Sequence, residues 1–334
     1  MFGWNSLKKH ISVTATSVDC PVLGCDEAVD RQRKKFVWQD RFVCPKHGIC
    51  ISPSTFEYAD EKDNMLWTSE SDLKLWSSIS AKGVKRESRL ARDNSEDAVT
   101  WNVFRYLETR GQLGPLLSSL ASKRLDCDPR VIYWSFCQST QQVHTGLAEA
   151  ATTFGELRHR RSEPDLILED DGVLAFVENK FGSSNRTRPS DPNNPRLYPT
   201  GADGWFARVF RNDASFSEVA VDKRLYELMR LWLLGSWLAA QSGKRFFLVN
   251  IVREGARQEA DIDRRFGAVC CAGPERAFIR CSWERIYSEF VAMRVGDPHA
   301  DRLAEYMRNK TLGYAAASGG TGGRLRRAFD LPTI

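Results

Sequence analysis

Apolar positions recur in two rhythms through the middle of the chain. Val99, Val103, Phe104 and Leu107 fall on one face of a helix that Asn94 or Ser95 can cap and that runs to about Arg110. Val131 to Phe136 is a short run of strand-favouring residues. Asp165 to Glu169 and Val173 to Phe181 are two more apolar runs, separated by Asp170-Asp171-Gly172. An Asp-Gly step between such runs predicts a hairpin, because glycine accepts the positive φ of a tight turn. Lys223 to Gln241 reads as a strongly apolar helix stopped by Ser242-Gly243, and Phe246 to Val252 as a buried strand. Phe278 to Cys281 is one more short strand, followed by a helix from about Ser282. Helices and strands in alternation predict an α/β core from Asp93 to about Phe290.

The flanks have a different texture. Residues 13–58 hold four of the nine cysteines. Residues 59–92 are polar and charged, interrupted by Trp67 and Trp76, and from Gly313 the chain is rich in glycine and arginine. This predicts a metal-binding module over 1–58, a bridging segment over 59–92, an α/β domain over 93–312 and a flexible tail over 313–334. No apolar run is long enough to span a bilayer, and Met1 to Ser12 lack the apolar stretch of a signal peptide. The expected location is cytoplasmic, where cysteines serve as thiols and metal ligands rather than disulfides. With 48 basic and 43 acidic residues the chain carries +5, a balance that permits a nucleic-acid partner without demanding one.

Cys20 and Cys25 are separated by four residues, Cys44 and His47 by two, and Gly24 and Gly48 stand where each knuckle must turn sharply. Thiolates and an imidazole at these spacings suit tetrahedral zinc, with Cys20, Cys25, Cys44 and His47 as ligands and Cys50 competing for the fourth place. Between the two knuckles lie Arg31, Arg33, Lys34 and Lys35, beside Phe36 and Trp38. Basic residues next to aromatics fit a nucleic-acid backbone, and they fit a solvated charged hairpin equally well.

The predicted hairpin carries the candidate chemistry. Period-two alternation places Glu178 and Lys180 on one face of its second strand, and Asp165 opens the first strand after Pro164. Two carboxylates brought together repel unless a cation lies between them, and hard oxygen donors favour magnesium or manganese. A neighbouring lysine can orient an attacking water. These residues, in this order and strand context, resemble the PD-(D/E)xK nuclease superfamily. The resemblance, over roughly residues 93 to 290, implies a restriction-endonuclease-like core: a mixed central sheet flanked by helices. It implies a magnesium- or manganese-dependent DNA endonuclease, with Asp165 and Glu178 as metal ligands and Lys180 as catalytic lysine. Glu96, early in the first core helix, matches the superfamily's helical acid. Many such enzymes act in restriction or defence against foreign DNA and others in repair or recombination, and the sequence does not choose between them; a homodimer and a partner protein fall within the expectation.

Two departures and several bystanders complete the reading. Asn179 is polar where the superfamily carries an apolar residue, so that face of the sheet is expected to be partly exposed. The helix 223–241 has Tyr226 and Arg230 in place of a Gln-x-x-x-Tyr motif. His159, Arg160 and Arg161 precede the hairpin, where they form either a phosphate contact or a solvated basic turn. Residues 182–203, with four prolines and several arginines, read either as a loop that orders on DNA or as a passive insertion. Glu156 reads either as a further acidic ligand or, as expected here, as a solvent-facing residue at a helix end. An inactive nuclease-like DNA-binding protein and an RNA-directed nuclease are the rival functions.

Overall fold

The computed structural model describes residues 4–33, 36–81, 89–156, 163–190, 194–293, 296–316 and 323–332. Its chain forms two compact units, one of residues 1–70, 87–106 and 287–334, the other of residues 71–86 and 107–286. In chain order the strands are β1 (His10–Ile11), β2 (Ser17–Asp19), β3 (Ala28–Asp30), β4 (Cys50–Ile51), β5 (Phe56–Glu57), β6 (Arg130–Tyr133), β7 (Phe136–Cys137), β8 (Gln142–Val143), β9 (Leu166–Glu169), β10 (Val173–Asn179), β11 (Arg245–Val252), β12 (Arg276–Ser282), β13 (Thr311–Ala316) and β14 (Gly323–Arg327). The α-helices are α1 (Glu70–Ala81), α2 (Glu96–Thr109), α3 (Leu113–Leu120), α4 (Thr145–Thr153), α5 (Asn194–Val209), α6 (Tyr226–Gln241), α7 (Trp283–Ala292) and α8 (Pro298–Asn309). No helix among the described residues is long and apolar enough to cross a membrane.

The second unit is built on a seven-stranded mixed sheet in the order β12-β11-β10-β9-β6-β7-β8. β9 and β10 form the antiparallel hairpin expected around Asp170-Asp171-Gly172, where the Asp170 carboxylate accepts the amides of Gly172 and Val173, both at 2.8 Å. β10 then pairs in parallel with β11, so the chain must cross over between them, and α6 makes that crossing. Seven consecutive residues of β10 are buried, as a strand covered on both faces requires. Leu174 and Phe176 of β10, Ile167 of β9, and Phe246 and Leu248 of β11 pack against α4, α5 and α6. Glu178, Lys180 and Asp165 share their parity and therefore project to the same side of the sheet.

α6 is made of strong helix formers, but it starts three residues later than its apolar pattern suggests. Arg224 takes φ +56°, outside the helical region, and the helix begins only after it. The described part of 182–203 is not a free loop. Asn185 is fully buried, Thr187 bridges to Leu225, and helical residues begin at Asn194. α5 is two helical stretches about a kink at Gly201–Gly204.

The first unit holds the hairpins β2–β3 and β4–β5 and a three-stranded sheet in the order β1-β14-β13. Here the expectation of a flexible tail fails. The described part of 313–334 pairs with β1, and Leu325 packs into the cluster of Val18, Cys20, Cys44, Ile51 and Phe56. Burial of Leu325, Ala328 and Phe329 holds the segment in place despite its glycines. The linear partition at residues 58, 92 and 312 does not match the two units either, because the first unit is assembled from three separated stretches.

Candidate active site and metal centre

β9 and β10 position the carboxylates. Their register pairs Val177 with Leu166, and its next step sets Glu178 beside Asp165. The Asp165 carboxylate accepts the amide of Asn179 at 2.8 Å, which fixes it next to the end of β10. Glu178 is 4% exposed and its carboxylate accepts a hydrogen bond from the Lys180 ammonium, itself buried. Burial pushes the Glu178 carboxyl well above the usual range; Lys180 opposes this, while Glu227 and Asp165 add to it. Asn179 is fully buried, so the face expected to be partly exposed is closed.

Glu227 is the residue that the linear reading missed. It lies in the first turn of α6, where the helix N-terminus favours a negative charge, and its carboxylate sits 2.8 Å from the Lys180 ammonium. Its amide donates to Thr187 Oγ1 at 2.8 Å, which anchors that turn. Glu178 and Glu227 thus converge on one lysine at the carboxyl ends of parallel β10 and β11, and Asp165 lies close enough to Glu178 to raise its carboxyl. In open α/β sheets this is where ligands bind.

Two buried networks brace the ensemble. Asn250, opposite Glu178 on β11, donates to the Glu178 carbonyl at 3.1 Å and accepts from Asn185 at 2.8 Å, and Asn185 donates to Glu259 at 2.7 Å. Glu156, expected at the surface, is buried beside Arg230 at 3.1 Å and accepts the Tyr198 hydroxyl at 2.8 Å. A buried carboxylate needs such partners, and here they tie the end of α4 to α5 and α6.

The turn end of the hairpin is a separate feature. An open depression of about 730 Å³ there is lined by Asp126, Asp128, Asp170 and Asp171 together with Arg130, Glu169 and Lys244. Burial raises the Glu169 carboxyl, but His144, Arg130 and Lys244 more than offset it and hold the group well below the usual range.

In the first unit Cys20, Cys25, Cys44 and His47 bring their ligand atoms within 4.8 Å of one another. Cys20 Sγ and Cys44 Sγ each lie 3.6 Å from His47 Nδ1, and Cys25 Sγ lies 3.8 Å from Cys44 Sγ. Two thiolates about 2.3 Å from a tetrahedral centre stand about 3.8 Å apart, and a thiolate and an imidazole nitrogen about 3.5 Å apart. The cluster therefore has the edges of a tetrahedral site and can hold a metal ion; its donors suit zinc. Gly24 at φ +77° and Gly48 at φ +66° make the two knuckle turns. Cys50 stands outside the four, its thiol 3.6 Å from Gln32 Nε2.

The remaining candidates are scattered. Glu96 is the first residue of α2, half-buried, and belongs to the first unit, whereas Asp165, Glu178, Lys180 and Glu227 belong to the second. Ser95 rather than Asn94 caps α2, its hydroxyl accepting the Ala98 amide at 3.1 Å. Arg31 donates to the carbonyls of Pro53 and Thr14, and Arg33 is exposed. Lys34, Lys35, His159, Arg160 and Arg161 lie outside the described residues. No family model, curated protein or solved structure matches the chain.

Proposed function

We propose that the second unit is a restriction-endonuclease-like nuclease domain of PD-(D/E)xK type that hydrolyses DNA phosphodiesters with magnesium or manganese. The observation that carries this reading is the meeting of Glu178 and Glu227 on Lys180, with the Asp165 carboxylate beside Glu178, at one end of the sheet. A sheet built only for stability would fill that position with apolar side chains, since buried charges cost free energy unless used or paired. A divalent cation held by the three carboxylates would supply charge neutralisation and Lewis acidity to the scissile phosphate. Lys180 orients the attacking water through its ammonium, and Glu227 holds that ammonium from the helix side. Glu96 is proposed as a further acid of the same chemistry. The Cys20, Cys25, Cys44 and His47 cluster is proposed to hold zinc as a structural ion. Arg31, Arg33, Lys34, Lys35, His159, Arg160 and Arg161 are proposed to contact the DNA backbone. A cytoplasmic role in restriction or defence, with a homodimer or a partner protein, belongs to this reading.

One observation favours a second reading. Lys180 is ion-paired to both Glu178 and Glu227, a closed arrangement that needs no cation, as expected of a nuclease-like DNA-binding protein without hydrolysis. Cleavage assays with magnesium or manganese on plasmid, linear duplex, single strand and RNA separate the possibilities. The wild-type chain should cut DNA only with metal, and Glu178→Gln, Asp165→Asn and Glu227→Gln should each suppress cutting while binding persists. Binding without cutting by the wild type selects the second reading. Cutting confined to RNA selects an RNA-directed nuclease, and undiminished cutting by all three variants removes the site from the chemistry.

A further inference from the structure

A groove of about 590 Å³ on the first unit is lined by Arg31, Arg33 and Arg41 against a single acidic residue, Asp30. The three arginines are not equivalent. Arg31 is held by the carbonyls of Thr14 and Pro53 and lies over the Tyr314 ring, which fixes its guanidinium in place. Arg33 and Arg41 are exposed and form no ion pair among the described residues; the Arg41 guanidinium lies over the Phe42 ring, which leaves its donors open to an anion. Trp38 does not line the groove; it stands at its edge, between the lining residues Val37 and Gln39 in the chain, with 50% of its surface in solvent. The Phe36 ring meets it edge-on at 6.4 Å and limits its swing.

Two uncompensated guanidiniums and a propped, exposed indole are the two halves of one kind of recognition. Guanidinium forks match phosphate oxygens, and an exposed indole face matches a nucleobase. A duplex offers the phosphates but keeps its base faces inside the stack. A single strand offers both. We infer that this surface binds single-stranded nucleic acid, with phosphates held in the groove by Arg33 and Arg41 and an unpaired base stacked on Trp38 at its edge. The inference rests on the reading of the chain as a nucleic-acid enzyme and adds the strand class that the metal module selects.

The test uses the full-length, zinc-loaded protein in magnesium-free buffer, with fluorescein-labelled 15-nucleotide single-stranded DNA, RNA of the same sequence, and the corresponding DNA duplex. Trp38→Ala should weaken binding of single strands roughly tenfold, within the range for loss of one base–aromatic stack, and leave duplex affinity within about twofold. Arg33→Gln with Arg41→Gln should weaken single-strand binding and reduce its salt slope by about 1.4, the value for two phosphate contacts. An unchanged zinc content shows that each variant module is folded. The DNA and RNA arms identify the sugar that the strand carries. Unchanged single-strand affinity in Trp38→Ala, an equal loss on duplex, or duplex binding alone overturns the inference. The outcome is independent of hydrolysis. Trp38-dependent binding by a chain that cuts nothing removes only the nuclease reading, and cutting with Trp38-independent binding removes only this one.

Discussion

The Lys180 ammonium lies between Glu178 and Glu227, so its replacement can separate charge from shape. Arginine keeps the charge but spreads it over a planar fork that a buried position cannot reorient. Lys180→Arg should lower the single-turnover cleavage rate on the order of a hundredfold at saturating magnesium, in the range for losing a positioned acid–base group. A near-wild-type rate would assign Lys180 to phosphate contact alone. Glu178 and Lys180 were legible because strand alternation sets them on one face, and Asp165 because it opens the neighbouring strand of a short hairpin. Glu227 was not. Its approach depends on where α6 begins, and that is decided by the backbone of Arg224 and the hydroxyl of Thr187.

A second lysine offers a pH signature. Lys310 is fully buried, donates to Asn64 Oδ1 at 2.7 Å and stands 4.0 Å from Asp93. Burial pulls its pKa down to about 8, with Asp93 opposing. The unfolded chain holds this proton up to the ordinary value of 10.5, so between those values unfolding takes up a proton and stability rises with pH. The contribution is complete above 10.5 and lost as pH falls through about 8. Relative to Lys310→Met, the wild type should gain about 2 kcal/mol between pH 8 and 9.5, read as a steeper rise in melting temperature. Parallel pH profiles for the two proteins would count against it.

Among the elements, the β9–β10 hairpin, α6 and β11 were visible in the sequence because each is set by a local turn or a long apolar run. α5 was hidden by the prolines and asparagines of its approach, and β14 by glycine-rich sequence whose partner, His10–Ile11, lies at the far end of the chain. α6 also approaches the sheet more closely than its apolar pattern indicates. A Cβ on Gly235 would stand 2.2 Å from the Phe246 ring and 2.9 Å from the Phe176 ring. Alanine in place of glycine adds about 1 kcal/mol of helix propensity, yet overpacking a closed core costs about 1–3 kcal/mol. Gly235→Ala should therefore lower the melting temperature, and an increase would show that α6 can retreat freely.

At the scale of the molecule, the metal cluster should decide whether the first unit folds. Its thiols share a small apolar cluster with Val18, Val29 and Phe56, a core too limited to hold the surrounding short strands alone. Cys44→Ser should lose the bound ion and with it the protease resistance of the first unit, because the free energy of metal binding is folding free energy in such modules. A metal-free protein that keeps its resistance would make the cluster incidental. The division into units was illegible in the sequence because pattern reading follows the chain, while the first unit joins stretches separated by the whole of the second.

The pairing of β1 with β14 also sets a timetable. A ribosome delivers residues in order, so Cys20, Cys44 and His47 emerge long before Leu325, which completes the hydrophobic cluster around them. At ordinary rates of synthesis that interval is on the order of tens of seconds. Residues 107–286, the main part of the second unit, are contiguous and can acquire their structure during the interval, while the thiols wait without their final cover. The unit that begins first is therefore finished last, and a nascent chain stalled short of its C-terminus would present reactive cysteines to the cell.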